Sequence, residues 1–295
     1  MKKLKILIAA CLSLFLMVSC AGSRTSKDDG IEVVASFYPI YVIAENVIGN
    51  TGGISLKNMA QPQTGCLHDY QLSTGDMKKL STADMFIING GGMESFLDNA
   101  LELFPELNIA DTSDGVTELL DEHSEHNSHD HEENSHFWML PSNAAAQAQN
   151  ICSALSELCP DKSSVFENNT ENFIKKLNSL ESFDGNGIKA CVFNEAFDYL
   201  ELSYGMDIVL CVEMDENKIP SAKELAEIIM TVNENNIDLL ISADDTSKVL
   251  AETIARETEA QVIVLDPVLT GDYSSESYVN AMNNNARILK GSVKK

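Results

Sequence analysis

The sequence predicts an α/β protein built as two parallel-sheet (β/α) lobes joined by one long rigid helix, with a cleft between the lobes. Three observations predict it. Short apolar runs rich in β-branched residues alternate with segments of helical period. The alternation stops at an acidic interruption and then resumes. Between the halves, residues 161–182 carry no strand signal but repeat Phe166, Phe173, Leu177 and Leu180 at helical spacing. Strands and helices in this rhythm argue for parallel sheets covered by helices on both faces.

In chain order, residues 31–37 read as a strand, 40–48 as a helix, 54–59 as a strand, 74–83 as a helix and 84–89 as a strand. Asn89-Gly90-Gly91-Gly92 lacks the spacing and the lysine of a phosphate loop, so it reads as a strand-to-helix turn. An Ala-rich helix opens at Ser142. Residues 161–184 are the linking helix, about 20 residues and ~30 Å long, stiff enough that closure on a ligand should be small. Strands follow at 188–193, 208–212, 237–242 and 261–265. Ser221 and Glu224 form a capping box at the start of one intervening helix. The domain plan is therefore a leader at 1–19, a tether at 20–30, an N-terminal lobe at 31–160, the linking helix at 161–184 and a C-terminal lobe at 185–295.

The leader carries Lys2, Lys3 and Lys5, an apolar run from residue 6 to 18, and Met17-Val18-Ser19-Cys20. This pattern predicts cleavage before Cys20 and lipidation of its thiol, leaving an extracytoplasmic domain anchored to a bacterial membrane by acyl chains. A plain secretory signal is the alternative. Removing the three leader lysines takes the formal charge from −25 to −28. Such a surface repels phosphate backbones, which argues against nucleic-acid binding, and it concentrates cations. Five cysteines follow Cys20, an odd number without paired spacing, so no disulfide framework is expected. Most should be buried as small apolar residues, with Cys66 near His68 a stray-ligand candidate.

Histidine placement is the sharpest signal. His123, His126, His129 and His131 crowd the acidic loop 121–133, His136 follows in Ser-His-Phe-Trp, and His68 stands upstream in Leu-His-Asp-Tyr. Imidazole concentrated in this way points to metal handling. In open parallel sheets ligands sit beyond the carboxyl ends of strands, and Asn194-Glu195 and Asp266 lie at such ends. Two histidines from one lobe and oxygen donors from the other would hold a cation between them. The loop 121–133 cannot bury enough apolar surface to fold by itself and reads as an accessory metal antenna, looser than the cleft site.

Several motifs resemble, in order, those of the metal-specific substrate-binding lipoproteins of ABC importers, the zinc and manganese receptors. They are Leu67-His68-Asp69-Tyr70 with Ser73-Thr74-Gly75-Asp76, Asn89-Gly90-Gly91-Gly92-Met93-Glu94, Asn134-Ser135-His136-Phe137-Trp138, Ala196-Phe197-Asp198-Tyr199 with Tyr204-Gly205, and Leu265-Asp266-Pro267. The resemblance covers nearly all of the mature chain. It implies two α/β lobes, a long connecting helix, and a metal handed to an ABC permease with its ATPase. Carried over by position, His68 and His136 match the first two ligands and Asp266 the fourth. At the third position relatives place histidine or glutamate, whereas this chain has Asn194 with Glu195 beside it. An asparagine carbonyl is a poor transition-metal ligand, so Glu195 is preferred, with water or a loop histidine as alternatives. Leu140 replaces a usual aspartate and Gln71-Leu72 a usual Glu-Pro.

The imidazole-rich loop favours Zn²⁺, while two histidines with carboxylates would also suit Mn²⁺ or Fe²⁺. The expectation is a monomeric, non-enzymatic receptor for a divalent cation. A secreted metallohydrolase is the competing class, but no His-Glu-x-x-His helix, Gly-x-Ser-x-Gly turn or Cys-x-x-Cys pair is present. A surface adhesin is a third.

Overall fold

In the computed structural model the described residues are 30–60, 70–120, 133–212 and 220–293. The first sheet takes β1 (Ile31–Ala35), β2 (Ile54–Asn58), β3 (Met85–Ile88) and β4 (Asn108–Asp111) in the order β2-β1-β3-β4. The second takes β7 (Lys189–Val192), β8 (Asp207–Cys211), β9 (Leu239–Ser242) and β10 (Gln261–Val264) in the order β10-β9-β7-β8. Every pairing within both sheets is parallel. A third sheet is a two-stranded antiparallel pair, β5 (Leu119–Leu120) with β6 (Glu133–Asn134).

The strand sequences explain the layering. In β1, Val33 and Ala35 face one apolar cluster while Val34 faces another with Phe86, Met59 and Leu80, as the two-residue period of a strand requires. The second sheet repeats this. Ala190, Val192 and Ile241 point to the first cluster, and Cys191, Phe193 and Leu240 to a third cluster on the outer side. The first cluster is continuous between the sheets. Its other contributors come from α1 (Tyr38–Ile48), α4 (Pro141–Leu158), α5 (Ser163–Leu177) and α9 (Ser277–Ser292). The outer faces are covered by α2 (Thr74–Thr82) and α3 (Asp98–Leu101) on the first sheet. On the second sheet they are covered by α7 (Ala222–Asn235) and α8 (Asp245–Ala255), while the short α6 (Leu200–Tyr204) follows β7. Both halves of the Ser221–Glu224 capping box form.

The linking helix is shorter than expected. One 3-10 turn, Pro160–Lys162, precedes α5, which spans 15 residues, about 22 Å. Phe166, Thr170, Phe173 and Leu177 form its buried stripe. Beyond Leu177, turn bonds carry the chain to Leu180, and residue 181 then bonds to α9. The Glu181 backbone N–H donates to Asn283 Oδ1 at 2.9 Å, and the Glu181 carboxylate receives Arg287 Nε at 2.6 Å and Lys290 Nζ at 2.7 Å. The strand β4 and the β5–β6 pair were not expected, because β4 reads Asn-Ile-Ala-Asp with no apolar run and β5 and β6 are two residues each. Cys152, Cys159 and Cys191 are free and buried, and Cys211 is buried. Cys20 and Cys66 lie outside the described residues, and no helix among the described residues is long and apolar enough to cross a membrane.

Candidate metal centre

The candidate donors begin where strands end. After β6 the chain turns at His136 (φ −80°, ψ 46°) into a 3-10 turn, Phe137–Met139. His136 is 1 % exposed. Its Nδ1 lies 2.9 Å from Asn134 Oδ1, which also receives the His136 backbone N–H at 3.1 Å. The Asn134 amide is oriented from its other end: Nδ2 donates to the Glu195 carbonyl at 2.9 Å and to Asp198 Oδ2 at 3.2 Å, both obligate acceptors. Because the amide oxygen then faces Nδ1, the imidazole proton sits on Nδ1 and the lone pair on Nε2. Tyr199 Oη donates to the Asn134 carbonyl at 2.7 Å and fixes the backbone of the turn.

His136 Nε2 faces Glu195 Oε1 at 3.7 Å. That is longer than a hydrogen bond. Two ligands each about 2.1 Å from a tetrahedral cation lie about 3.4 Å apart, so this spacing suits two donors to one ion. Glu195 opens a 3-10 helix, Glu195–Tyr199, after β7, and its side chain is 23 % exposed. Asn194 immediately precedes it. Its Oδ1 caps that helix, accepting the Ala196 N–H at 2.9 Å.

Asp266 follows β10. Its backbone is held by Asn285, whose Oδ1 accepts the Asp266 N–H at 2.8 Å and whose Nδ2 donates to the Asp266 carbonyl at 2.7 Å. Burial raises its carboxyl pKa above the ordinary carboxylate value, partly opposed by the Val268 N–H donated to Oδ1 at 2.7 Å. Val268 has φ 59°, a strained conformation for a β-branched residue, directly after the Asp266-Pro267 pair. Asp266 lines a cavity of about 220 Å³ together with Tyr38 and Asp272. One indole links this loop to His136: Trp138 Nε1 donates to the Pro267 carbonyl at 2.9 Å, and its ring centroid lies 5.0 Å from that of His136.

His136, Glu195 and the Asp266 loop are thus brought into one neighbourhood. His68, His123, His126, His129 and His131 lie outside the described residues. Among the described residues no group of three or more His, Cys, Asp or Glu side chains is arranged to hold a metal ion. Just downstream of His68, Tyr70 Oη donates to Asp76 at 2.7 Å, and Asp76 forms a capping box with Ser73 at the start of α2. Sequence reasoning gave no role to Asn134, Asn285 or Asn89. For Asn134 the available signal was its place two positions before a candidate ligand, a spacing that favours side-chain-to-backbone turns; Asn285 and Asn89 stand at no such offset.

A profile of the ZnuA family, described as zinc-uptake complex component A, periplasmic, matches residues 33–292. The zinc-binding lipoprotein AdcA of Streptococcus pneumoniae strain R6 is 29 % identical over 309 residues, covering 98 % of this chain and 61 % of that protein. The chain therefore spans about three fifths of the length of that relative. The high-affinity zinc uptake system protein ZnuA of Bacillus subtilis strain 168 is 28 % identical over 312 residues, covering 97 % of this chain and 96 % of that one. Among solved structures, the Zn(II)-bound ZnuA-like domain of Streptococcus pneumoniae AdcA aligns with TM-score 0.74 at 25 % identity, covering 90 % of this chain and all of that one. With a buried histidine aimed at a carboxylate between two parallel sheets, and a family match along almost the whole described chain, the chain belongs to the ZnuA family of periplasmic zinc-uptake components.

Proposed function

We propose that this chain is an extracytoplasmic receptor that captures Zn²⁺ and delivers it to an ABC permease with its ATPase, without chemical change to the cargo. The observation that carries the reading is the His136 turn. A buried imidazole has its Nδ1 proton committed to Asn134 and its Nε2 directed at Glu195, the arrangement of a metal-binding histidine supported by an outer hydrogen bond. His136 and Glu195 are proposed as ligands, joined by Asp266 across the Trp138–Pro267 contact and by His68. Asn194 is assigned to capping. Family membership and the zinc-binding relatives support zinc as the cargo, with Mn²⁺ or Fe²⁺ as the alternative that two oxygen donors would allow. The clustered histidines at 123, 126, 129 and 131 are proposed as a looser accessory site, and Cys20 as the lipid anchor.

Competition titration with a chromophoric zinc chelator tests this. The protein should bind one Zn²⁺ tightly, His136→Ala and Glu195→Gln should weaken that site at least ten-fold, and Asn194→Ala should leave it within a few-fold. Affinity should fall as pH drops through imidazole titration, because ligands bind metal deprotonated. Equal affinity in H136A and the parent protein would refute the assignment.

A further inference from the structure

The three consecutive glycines after β3 have a use that is not phosphate binding. Gly90, Gly91 and Gly92 all have positive φ, 83°, 60° and 82°. The loop they form is the seat of the ligand-bearing segment. Asn89 Nδ2 donates to the Ser135 carbonyl at 2.9 Å, the Ser135 hydroxyl donates to the Gly91 carbonyl, and the Phe137 ring lies where a Cβ on Gly91 would stand, 2.4 Å from it. The residues on both sides of His136 are therefore fastened to this loop.

The loop in turn hangs on Glu94. That side chain is 6 % exposed, and its two carboxylate oxygens accept separate backbone N–H groups, from Asn89 at 2.8 Å and from Gly90 at 3.1 Å. The Asn89 amide is further held by Gln147 Nε2 on its oxygen at 3.0 Å. A buried carboxylate is costly unless it is fully bonded, so its retention here calls for a reason beyond packing.

We infer that Glu94 is a positioning residue for His136: its carboxylate fixes the glycine loop, and the loop fixes the Ser135–Phe137 backbone and with it the direction of the imidazole. The inference rests on His136 being a metal ligand. Outer residues that orient a ligand typically change metal affinity about 10- to 100-fold when altered. Glu94 adds a second signature. Burial raises its carboxyl from an ordinary 4.5 to about 7, the two backbone N–H groups and the nearby Ser36 hydroxyl oppose this, and the Asp111 charge adds to it. Glu94 therefore changes charge near neutral pH.

The test is zinc titration of the full chain, with Glu94→Gln, His136→Ala and Ser135→Ala beside the parent protein. Gln keeps the shape of Glu94 but turns an NH₂ group toward one of the two N–H groups. E94Q should bind zinc about 10- to 100-fold more weakly while its far-UV spectrum remains native, and its loss of affinity between pH 8 and pH 6 should be shallower than that of the parent. Parent-like affinity in folded E94Q overturns the inference. Should E94Q not fold, S135A decides, since it removes only the hydroxyl bond to Gly91: a loss of a few-fold supports the seat, and unchanged affinity overturns it. Absence of tight zinc binding by the parent, or parent-like binding by H136A, instead overturns the receptor reading itself.

Discussion

At the scale of single residues, the centre depends on one amide. Asn134 receives both N–H groups of His136 on one oxygen and spends its own N–H groups on Glu195 and Asp198. Asn134→Ala should leave the imidazole free to rotate or change tautomer, and zinc affinity should drop about 10- to 100-fold, measured by chelator competition. Unchanged affinity would show that packing against Trp138 alone orients the ring. His136 was legible in the sequence, because a histidine beside an aromatic pair inside an ordered motif set is distinctive. Asn134 was not. Its role depends on a contact between two side chains two positions apart, which no periodicity announces. Asn194 was legible only as a misfit. Its position before Glu195 left a choice of ligand open, and the bond from the Ala196 N–H to its Oδ1 is a cap that no spacing announced.

At the scale of elements, the short apolar runs located seven of the eight strands of the two parallel sheets to within one or two residues at their ends, β4 being missed, since strands buried on both faces read as continuous apolar stretches. What the period could not show was competition from distant partners. The linking helix stops at Leu177 because α9 offers Asn283, Arg287 and Lys290 to residue 181. Likewise, Leu119 pairs with Asn134 and Leu120 with Glu133, a two-residue neck. That neck yields a prediction. Deleting residues 121–132 and joining the ends through a two-residue turn suited to a hairpin should leave melting temperature within a few degrees and one tight zinc site, with only weaker binding lost. Calorimetry checks both, and disappearance of the tight site would place the principal ligands in the deleted segment.

At the scale of the molecule, one apolar cluster runs between the two sheets, so the walls of the proposed metal site are joined by core packing and by Trp138 as well as by α5. Such a molecule places buried carboxylates under constraint. Glu94 holds its proton more firmly when folded, with its pKa moved from 4.5 to about 7. Between those values the folded state binds more protons than the unfolded one, so stability from this group falls as pH rises through that window, by on the order of 3 kcal/mol in full. Asp266 acts in the same direction. Asp76, whose pKa is lowered because bonds from Ser73 and Tyr70 outweigh its burial, acts oppositely, losing stability only on further acidification. Urea midpoints of the metal-free protein should therefore decline from pH 5.5 to pH 8. E94Q should flatten that decline, and a flat profile in the parent protein would contradict the buried carboxylate.

The central claim is that a single cation lies between His136, in the turn after β6, and Glu195 and Asp266 beyond the carboxyl ends of strands in the second sheet. Anomalous diffraction at the zinc edge from crystals grown with equimolar Zn²⁺ measures this directly. The expected peak lies about 2.0–2.2 Å from His136 Nε2 and from an oxygen of Glu195, with Asp266 also in reach. A strong peak elsewhere, with His136 Nε2 bound to no metal, would contradict it.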